Sequence, residues 1–292
     1  MHYEGIIIRP PSEANSLILQ MTVGCSHNQC SFCPAYKAKK FRIKPINKIF
    51  NDIDEAAAES LGAVRRVFLC DGDPLIAPQA TLIAILQKLN DVFPHLQRVG
   101  IYGNTKSVLN KTREDLQALR EQKLGILYLG LESGDQVILD RIKKGVTTEQ
   151  MIEAAQRVRA AGIKLSVTVI LGLGGKERSR EHAMETMRVL NEMKPDHVGA
   201  LTLMLAPGTP LYQQWKKGSF TLPEPFELIE ELRLMIKDSQ LKNCLFFSNH
   251  ASNYLPLKIR LPQQKEQALR QIEAVLHEKD SNMLTPEFLR AL

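Results

Sequence analysis

Apolar, β-branched runs alternate with amphipathic stretches along this chain. Leu17–Val23, Val64–Leu69, Arg98–Tyr102, Gly125–Leu129, Lys164–Leu171 and His197–Leu205 read as strands. Between them, Lys48–Leu61, Gln79–Phe93, Thr112–Glu121, Thr148–Ala161 and Arg178–Met193 repeat apolar residues at steps of three and four, the spacing of one helix face. Thr147 stands three positions before Gln150 as a capping box for the fourth helix, and Gly162 follows as its stop. Six successive strand–helix units predict an α/β fold, a partial (β/α)6 barrel of TIM type. Functional residues are then expected where each strand ends and its loop begins.

Strand parity gives the facing of side chains. In the fifth strand Leu165, Val167 and Val169 are expected against the helices and Ser166, Thr168 and Ile170 inside, together with Gln20, Thr22, Tyr102, Tyr128 and Thr202. Such a lining suits a polar organic ligand. After Leu205 the pattern changes: Ala206–Tyr212 reads as a rigid turn, Pro225–Leu241 as a helix, and Leu245–Ser248 as a strand-like run into the polar loop Asn249–Tyr254. Lys265–Leu276 and Pro286–Leu292 read as terminal helices. The expected division is a core over residues 1–212 and a C-terminal extension over 213–292, whose polar loop covers the barrel mouth.

The composition, 292 residues with 44% hydrophobic and 24% charged, excludes disordered and collagen-like chains. No run approaches the roughly 18 apolar residues of a membrane span, and no basic-then-apolar leader opens the chain, so a cytoplasmic protein, expected as a monomer, is predicted. The net charge of +6 is spread out, but Lys37, Lys39, Lys40, Arg42 and Lys44 form a basic run that could meet an anion.

Three of five cysteines, Cys25, Cys30 and Cys33, fall within nine positions just after the first strand, which suits a metal site better than a disulfide framework. Three thiolates on one loop would leave one iron of a four-iron cluster open to an outside ligand. Zinc is the competing reading, with His27 inside the loop. Cys70 and Cys244 read as buried small hydrophobes.

The strand ends that follow carry Cys70-Asp-Gly-Asp-Pro74, Tyr102-Gly-Asn-Thr105, Leu129-Gly-Leu-Glu-Ser-Gly134 and Ile170-Leu-Gly-Leu-Gly-Gly175, and the sixth leads to Pro207-Gly-Thr-Pro-Leu-Tyr212. In this order, behind the cysteine loop, they resemble the radical S-adenosylmethionine (SAM) superfamily, including its coproporphyrinogen-oxidase-like and elongator-type members. The resemblance covers Leu17 to about Tyr212. Its usual loop is C-x3-C-x2-C; this chain has one residue more between Cys25 and Cys30, which is expected to bulge. The resemblance implies a [4Fe-4S] cluster on Cys25, Cys30 and Cys33, and SAM chelated to the open iron and cleaved reductively to a radical that abstracts hydrogen. It also implies cofactor contacts from Phe32 on the adenine side, Gly72, Asp73 and Pro74 near the ammonium, Tyr102 and Asn104 near the ribose, Glu132 and Ser133, Arg141 or Lys144 at the carboxylate, and Ile170 beside the adenine.

Three functions are expected to compete: a small-molecule radical enzyme reduced by a flavodoxin- or ferredoxin-type partner, a tRNA-modifying radical enzyme using the basic run, and a non-catalytic heme or cluster carrier. His250, in the loop that the resemblance does not explain, is expected on the substrate side as a catalytic residue.

Overall fold

The computed structural model describes residues 1–291. Its strands are β1 (Leu17–Gln20), β2 (Thr22–Val23), β3 (Arg42–Ile43), β4 (Arg66–Cys70), β5 (Arg98–Tyr102), β6 (Leu124–Glu132), β7 (Lys164–Leu171), β8 (His197–Thr202), β9 (Cys244–Phe247) and β10 (Lys258–Leu261). The helices are α1 (Ile46–Ser60), α2 (Gln79–Val92), α3 (Thr105–Leu109), α4 (Arg113–Glu121), α5 (Gln136–Arg141), α6 (Thr148–Ala160), α7 (Ser179–Met193), α8 (Pro210–Lys216), α9 (Pro225–Asp238) and α10 (Lys265–Glu278). Eight strands make one mostly parallel sheet in the order β1-β4-β5-β6-β7-β8-β9-β10, and β2 pairs with β3 apart from it. This is the expected α/β class. The described residues divide into two compact units: 1–28, 35–129 and 156–165 in the first, and 29–34, 130–155 and 166–291 in the second.

In the first unit β1, β4, β5 and the start of β6 run parallel, with Leu17 opposite Val67, Arg66 opposite Arg98 and Gly100 opposite Ile126. One face carries Ile18, Phe68, Cys70, Ile126 and Tyr128 as a buried cluster, with Tyr102 packed against it. The Phe68 and Tyr102 rings meet edge to face at 4.8 Å, an arrangement that favours aromatic pairs beyond their area. Here the expectation of a lining open to a ligand needs correction at Tyr128: from the 3-10 turn Pro11–Glu13 the buried Glu13 carboxylate accepts from Tyr128 Oη at 2.5 Å and pairs with Arg98 at 2.5 Å, while Tyr102 stays half-buried.

In the second unit β9 forms at the strand-like run read at Leu245–Ser248, and β10 is a strand the pattern did not show. β7 lies parallel to β8 and β8 parallel to β9, while β10 returns antiparallel, Lys258 opposite Phe247. The capping box at α6 forms as read: the Thr147 amide donates to Gln150 Oε1 at 3.0 Å and the Gln150 amide to Thr147 Oγ1 at 3.3 Å. The turn at Ala206–Tyr212 becomes α8, because Thr209 caps the Tyr212 amide and Pro210 occupies the first turn, where its missing N–H costs nothing. The terminal helix expected at Pro286–Leu292 is instead one 3-10 turn, Glu287–Leu289. Arg290 leaves it extended, its side chain engaged with Ser252 and Tyr254; Leu292 lies outside the described residues.

Candidate cofactor site

β1 and β2 deliver the chain to Gly24, whose φ of +81° carries it into the cysteine loop. The Gly72 amide donates to Gly24 O at 3.1 Å, so the turn after β4 lies directly on the loop. A Cβ at Gly72 would stand 2.7 Å from Cys25 Cβ, and only glycine allows this approach. Between Cys25 and Cys30 the added length appears at Asn28, in the left-handed region at φ +42°, with its side-chain amide donating to Tyr36 O at 2.8 Å.

Two buried aspartates flank Gly72. Asp71 Oδ2 accepts from the Gly24 amide at 3.1 Å and pairs with Lys39 at 2.7 Å, while its Oδ1 is buried without a partner. Asp73 gathers Ser26 Oγ at 2.5 Å, Asn104 Nδ2 at 2.6 Å, Ser107 Oγ at 2.6 Å and the Asn104 amide at 3.1 Å. Burial pushes its carboxyl up, and those donors, Ser107 foremost, oppose the rise. Asn104 also caps α3 by accepting from the Ser107 amide at 2.9 Å, so the hydrogen bonds expected for a ribose are here spent within the chain. Pro74, buried, opens a 3-10 turn.

In the second unit Cys30 and Cys33 are half-buried on either side of Ser31 and Phe32. Ser31 anchors the segment twice: its amide donates to Ile142 O at 2.9 Å and its carbonyl accepts from the Leu211 amide at 3.0 Å. Ser31 Oγ is buried without a partner. At the end of β6, Glu132 takes φ +65° and pairs with Lys144 at 2.8 Å; a Cβ at Gly130 would stand 2.1 Å from the Glu132 carboxylate. Lys144 is therefore brought to Glu132, whereas Arg141 is 58% exposed and faces Glu177 at 3.6 Å. Ser133 is fully buried and bonded to His182 Nδ1 at 2.8 Å. Ile170, at the end of β7, is half-buried, and its carbonyl meets His182 Nε2 at 2.9 Å.

The polar loop after β9 closes on the end of β8. Thr202 Oγ1 donates to Asn253 Oδ1 at 2.8 Å and the Thr202 amide to Ser252 Oγ at 3.1 Å. His250 is half-buried, its Nδ1 accepting the Ser252 amide at 3.1 Å, and burial lowers its pKa.

In the first unit the half-buried Cys25 thiol, a glycine cradle that admits no side chain and the orphaned Asp71 Oδ1, and in the second the half-buried Cys30 and Cys33 thiols, suit thiolate ligation of a cluster. Among the described residues no three His, Cys, Asp or Glu side chains are gathered about one point to hold a single ion. Thiolates that ligate different irons have no need to be. Of the basic run, Lys39 pairs with Asp71, the exposed Arg42 with Glu4, and the buried Lys44 with Asp52 at 2.8 Å, while Lys37 and Lys40 are exposed. The charges held against the buried Asp71 and Asp52 serve the fold first. The residues that sequence reasoning missed include Glu4, Asp52, Tyr36, His182 and Glu231, none of which lies in a motif.

The model of the Radical SAM superfamily matches residues 19–190. The chain belongs to that superfamily. The cofactors of that family are a [4Fe-4S] cluster and SAM. A Methanocaldococcus jannaschii protein described as a probable threonylcarbamoyladenosine tRNA methylthiotransferase is 27% identical over 227 residues, covering 75% of this chain and 52% of that protein. A tRNA uridine(34) acetyltransferase of the same organism is 29% identical over 161 residues, covering 54% and 29%. The chain thus spans about half or less of these curated relatives. Coproporphyrinogen III oxidase HemN from Escherichia coli, a radical SAM enzyme, shares the fold at a TM-score of 0.58 and 18% identity over 76% of this chain and 51% of that one. Among the described residues no helix is long and apolar enough to cross a membrane.

Proposed function

We propose that Cys25, Cys30 and Cys33 hold the cluster, and that SAM is bound through Gly72, Asp73, Pro74, Tyr102, Glu132, Ser133, Lys144 and Ile170, with Phe32 on the adenine side, while Asn104 acts through Asp73. When bound, cluster and SAM supply reductive cleavage of the sulfonium and a radical that takes hydrogen from a substrate. The chain's own part is placement. Gly72 brings its turn onto Cys25, Asp73 and its donors stiffen that turn, and Glu132 with Lys144 offers an acceptor and a cation to the two ends of an amino acid. Arg141, turned to Glu177, is left out of the set.

The substrate we infer is a small organic molecule, with the His250 loop on its side of the site. The observation that carries this reading is the fate of the basic run, whose Lys39, Arg42 and Lys44 are taken up in intramolecular ion pairs. Anaerobically reconstituted protein given dithionite and SAM should release 5′-deoxyadenosine and methionine in equal amounts; release of neither overturns the proposal. A second reading, a base in tRNA, is favoured by the names of the curated relatives. It requires tRNA binding that weakens steeply with salt, because phosphate contacts displace counterions. Salt-insensitive or undetectable tRNA binding at low ionic strength removes it.

A further inference from the structure

Glu231 lies on α9, is 1% exposed, and belongs to none of the motifs above. Its Oε2 accepts the Gly172 amide at 2.7 Å, while Oε1 is buried without a hydrogen-bond partner. Gly172 has φ +82°, and a Cβ there would stand 2.7 Å from Leu228 Cδ2, so the turn after β7 is pressed onto the same helix that supplies the carboxylate. Two residues earlier, Ile170 O meets His182 Nε2 at 2.9 Å. A carbonyl only accepts, so Nε2 carries the proton and Nδ1 accepts from Ser133 Oγ; His182 is neutral, consistent with burial lowering its pKa to about 4. The backbone from Ile170 to Gly172 is thus gripped at two points by buried side chains from α7 and α9.

We propose that Glu231 is a positioning residue, which fixes the Gly172 amide so that the end of β7 presents one backbone geometry to SAM. The proposal rests on the cofactor reading above. The turn 171–175 is buried, and holding it in one conformation removes an ordering cost from ligand binding. Desolvation pushes the Glu231 carboxyl up to about 7, so a neutral acceptor of the same shape is a fair stand-in for it. Glu231→Gln keeps an oxygen for the Gly172 amide; Glu231→Leu removes it; Glu231→Asp withdraws it by one methylene and guards against a leucine variant that fails to fold.

Amide hydrogen exchange in the cofactor-free protein reads the grip alone. Gly172 should exchange about tenfold faster in Glu231→Leu and Glu231→Asp than in the wild type, with Glu231→Gln close to wild type. SAM titrated into the cluster-loaded proteins should bind about tenfold more weakly to the Leu and Asp variants at unchanged iron content, with Gln restoring the affinity. Unchanged Gly172 exchange in both the Leu and Asp variants, or wild-type SAM affinity in them, overturns the positioning role. If the cluster-loaded wild type binds no SAM, the cofactor reading fails and the role toward SAM with it, while the exchange data show separately whether the grip exists.

Discussion

Gly72 and Lys39 set the tightest local constraints on the cysteine loop. Alanine at position 72 would place its Cβ 2.7 Å from Cys25 Cβ and 3.0 Å from the Tyr36 ring, and neither the loop nor a buried ring yields cheaply. Overpacking of this kind costs about 1–3 kcal/mol. Gly72→Ala should therefore lower the urea midpoint and the iron and sulfide retained after reconstitution; full cluster content in a stable variant would show that the loop relaxes around the methyl. Lys39 has a different task. Its ammonium, 2.7 Å from a fully buried Asp71 carboxylate, also donates to Ile6 O at 2.8 Å. Removing one partner of a buried pair strands the other charge, a loss of about 3–5 kcal/mol. Lys39→Ala should lose stability on that scale by denaturant unfolding, whereas the exposed Lys40→Ala should change it by no more than about 0.5 kcal/mol.

At the scale of elements, α7 and α9 carry two buried groups whose titrations oppose each other. His182 is pushed down to about 4, so its contribution to stability is complete above its unfolded value near 6.5 and is lost as pH falls through about 4. Glu231 is pushed up to about 7, so its contribution is complete below its unfolded value near 4.5 and is lost as pH rises through about 7. Both are neutral in the fold between those limits, while the unfolded chain carries one positive and one negative charge, so little net proton uptake accompanies folding there. Stability of the wild type should be nearly level from about pH 4.5 to 6.5. Glu231→Gln removes one arm and should expose a rise with pH over that window, up to about 3 kcal/mol in all. A level profile in the variant would mean that His182 titrates normally. None of this is legible in the sequence, because a His on one helix and a Glu on another meet only after α9 has packed. What was legible has a local cause: the ranges of β5 and β7, the start of α2 and the α6 capping box follow from periodicity and caps close in the chain. α3, α5 and β10 are too short to carry a period.

Over the whole molecule, the chain ends do work that no motif announces. In the first unit the Pro11–Glu13 turn brings a carboxylate to Arg98 and Tyr128 at the foot of the aromatic cluster. In the second, the last turn ties down the polar loop after β9. Arg290 Nε donates to Ser252 O at 2.7 Å, its guanidinium lies 3.9 Å over the Tyr254 ring, and Tyr254 Oη donates to Glu287 at 2.7 Å. The strand-end motifs at Gly72, Glu132 and Gly172 were readable because short-range turn chemistry dictates them, while this clasp joins residues nearly forty positions apart. It also bears on His250, whose ring is held through Ser252, the residue that Arg290 grips by its carbonyl. Arg290→Ala gives up the hydrogen bonds to Ser252 O and Tyr254 Oη, the ion pair with the exposed Glu287 and a cation–π stack, about 2–4 kcal/mol together. Its effect should be local. Residues 250–254 should exchange their amides faster while the cysteine loop keeps its iron, and 5′-deoxyadenosine should still form without substrate. If His250 serves the substrate, coupled product should then fall in Arg290→Ala and in His250→Ala alike, with uncoupled cleavage of SAM spared. Loss of iron in Arg290→Ala would show that the clasp acts on the whole fold, and unchanged coupling in both variants would take His250 out of the substrate's reach.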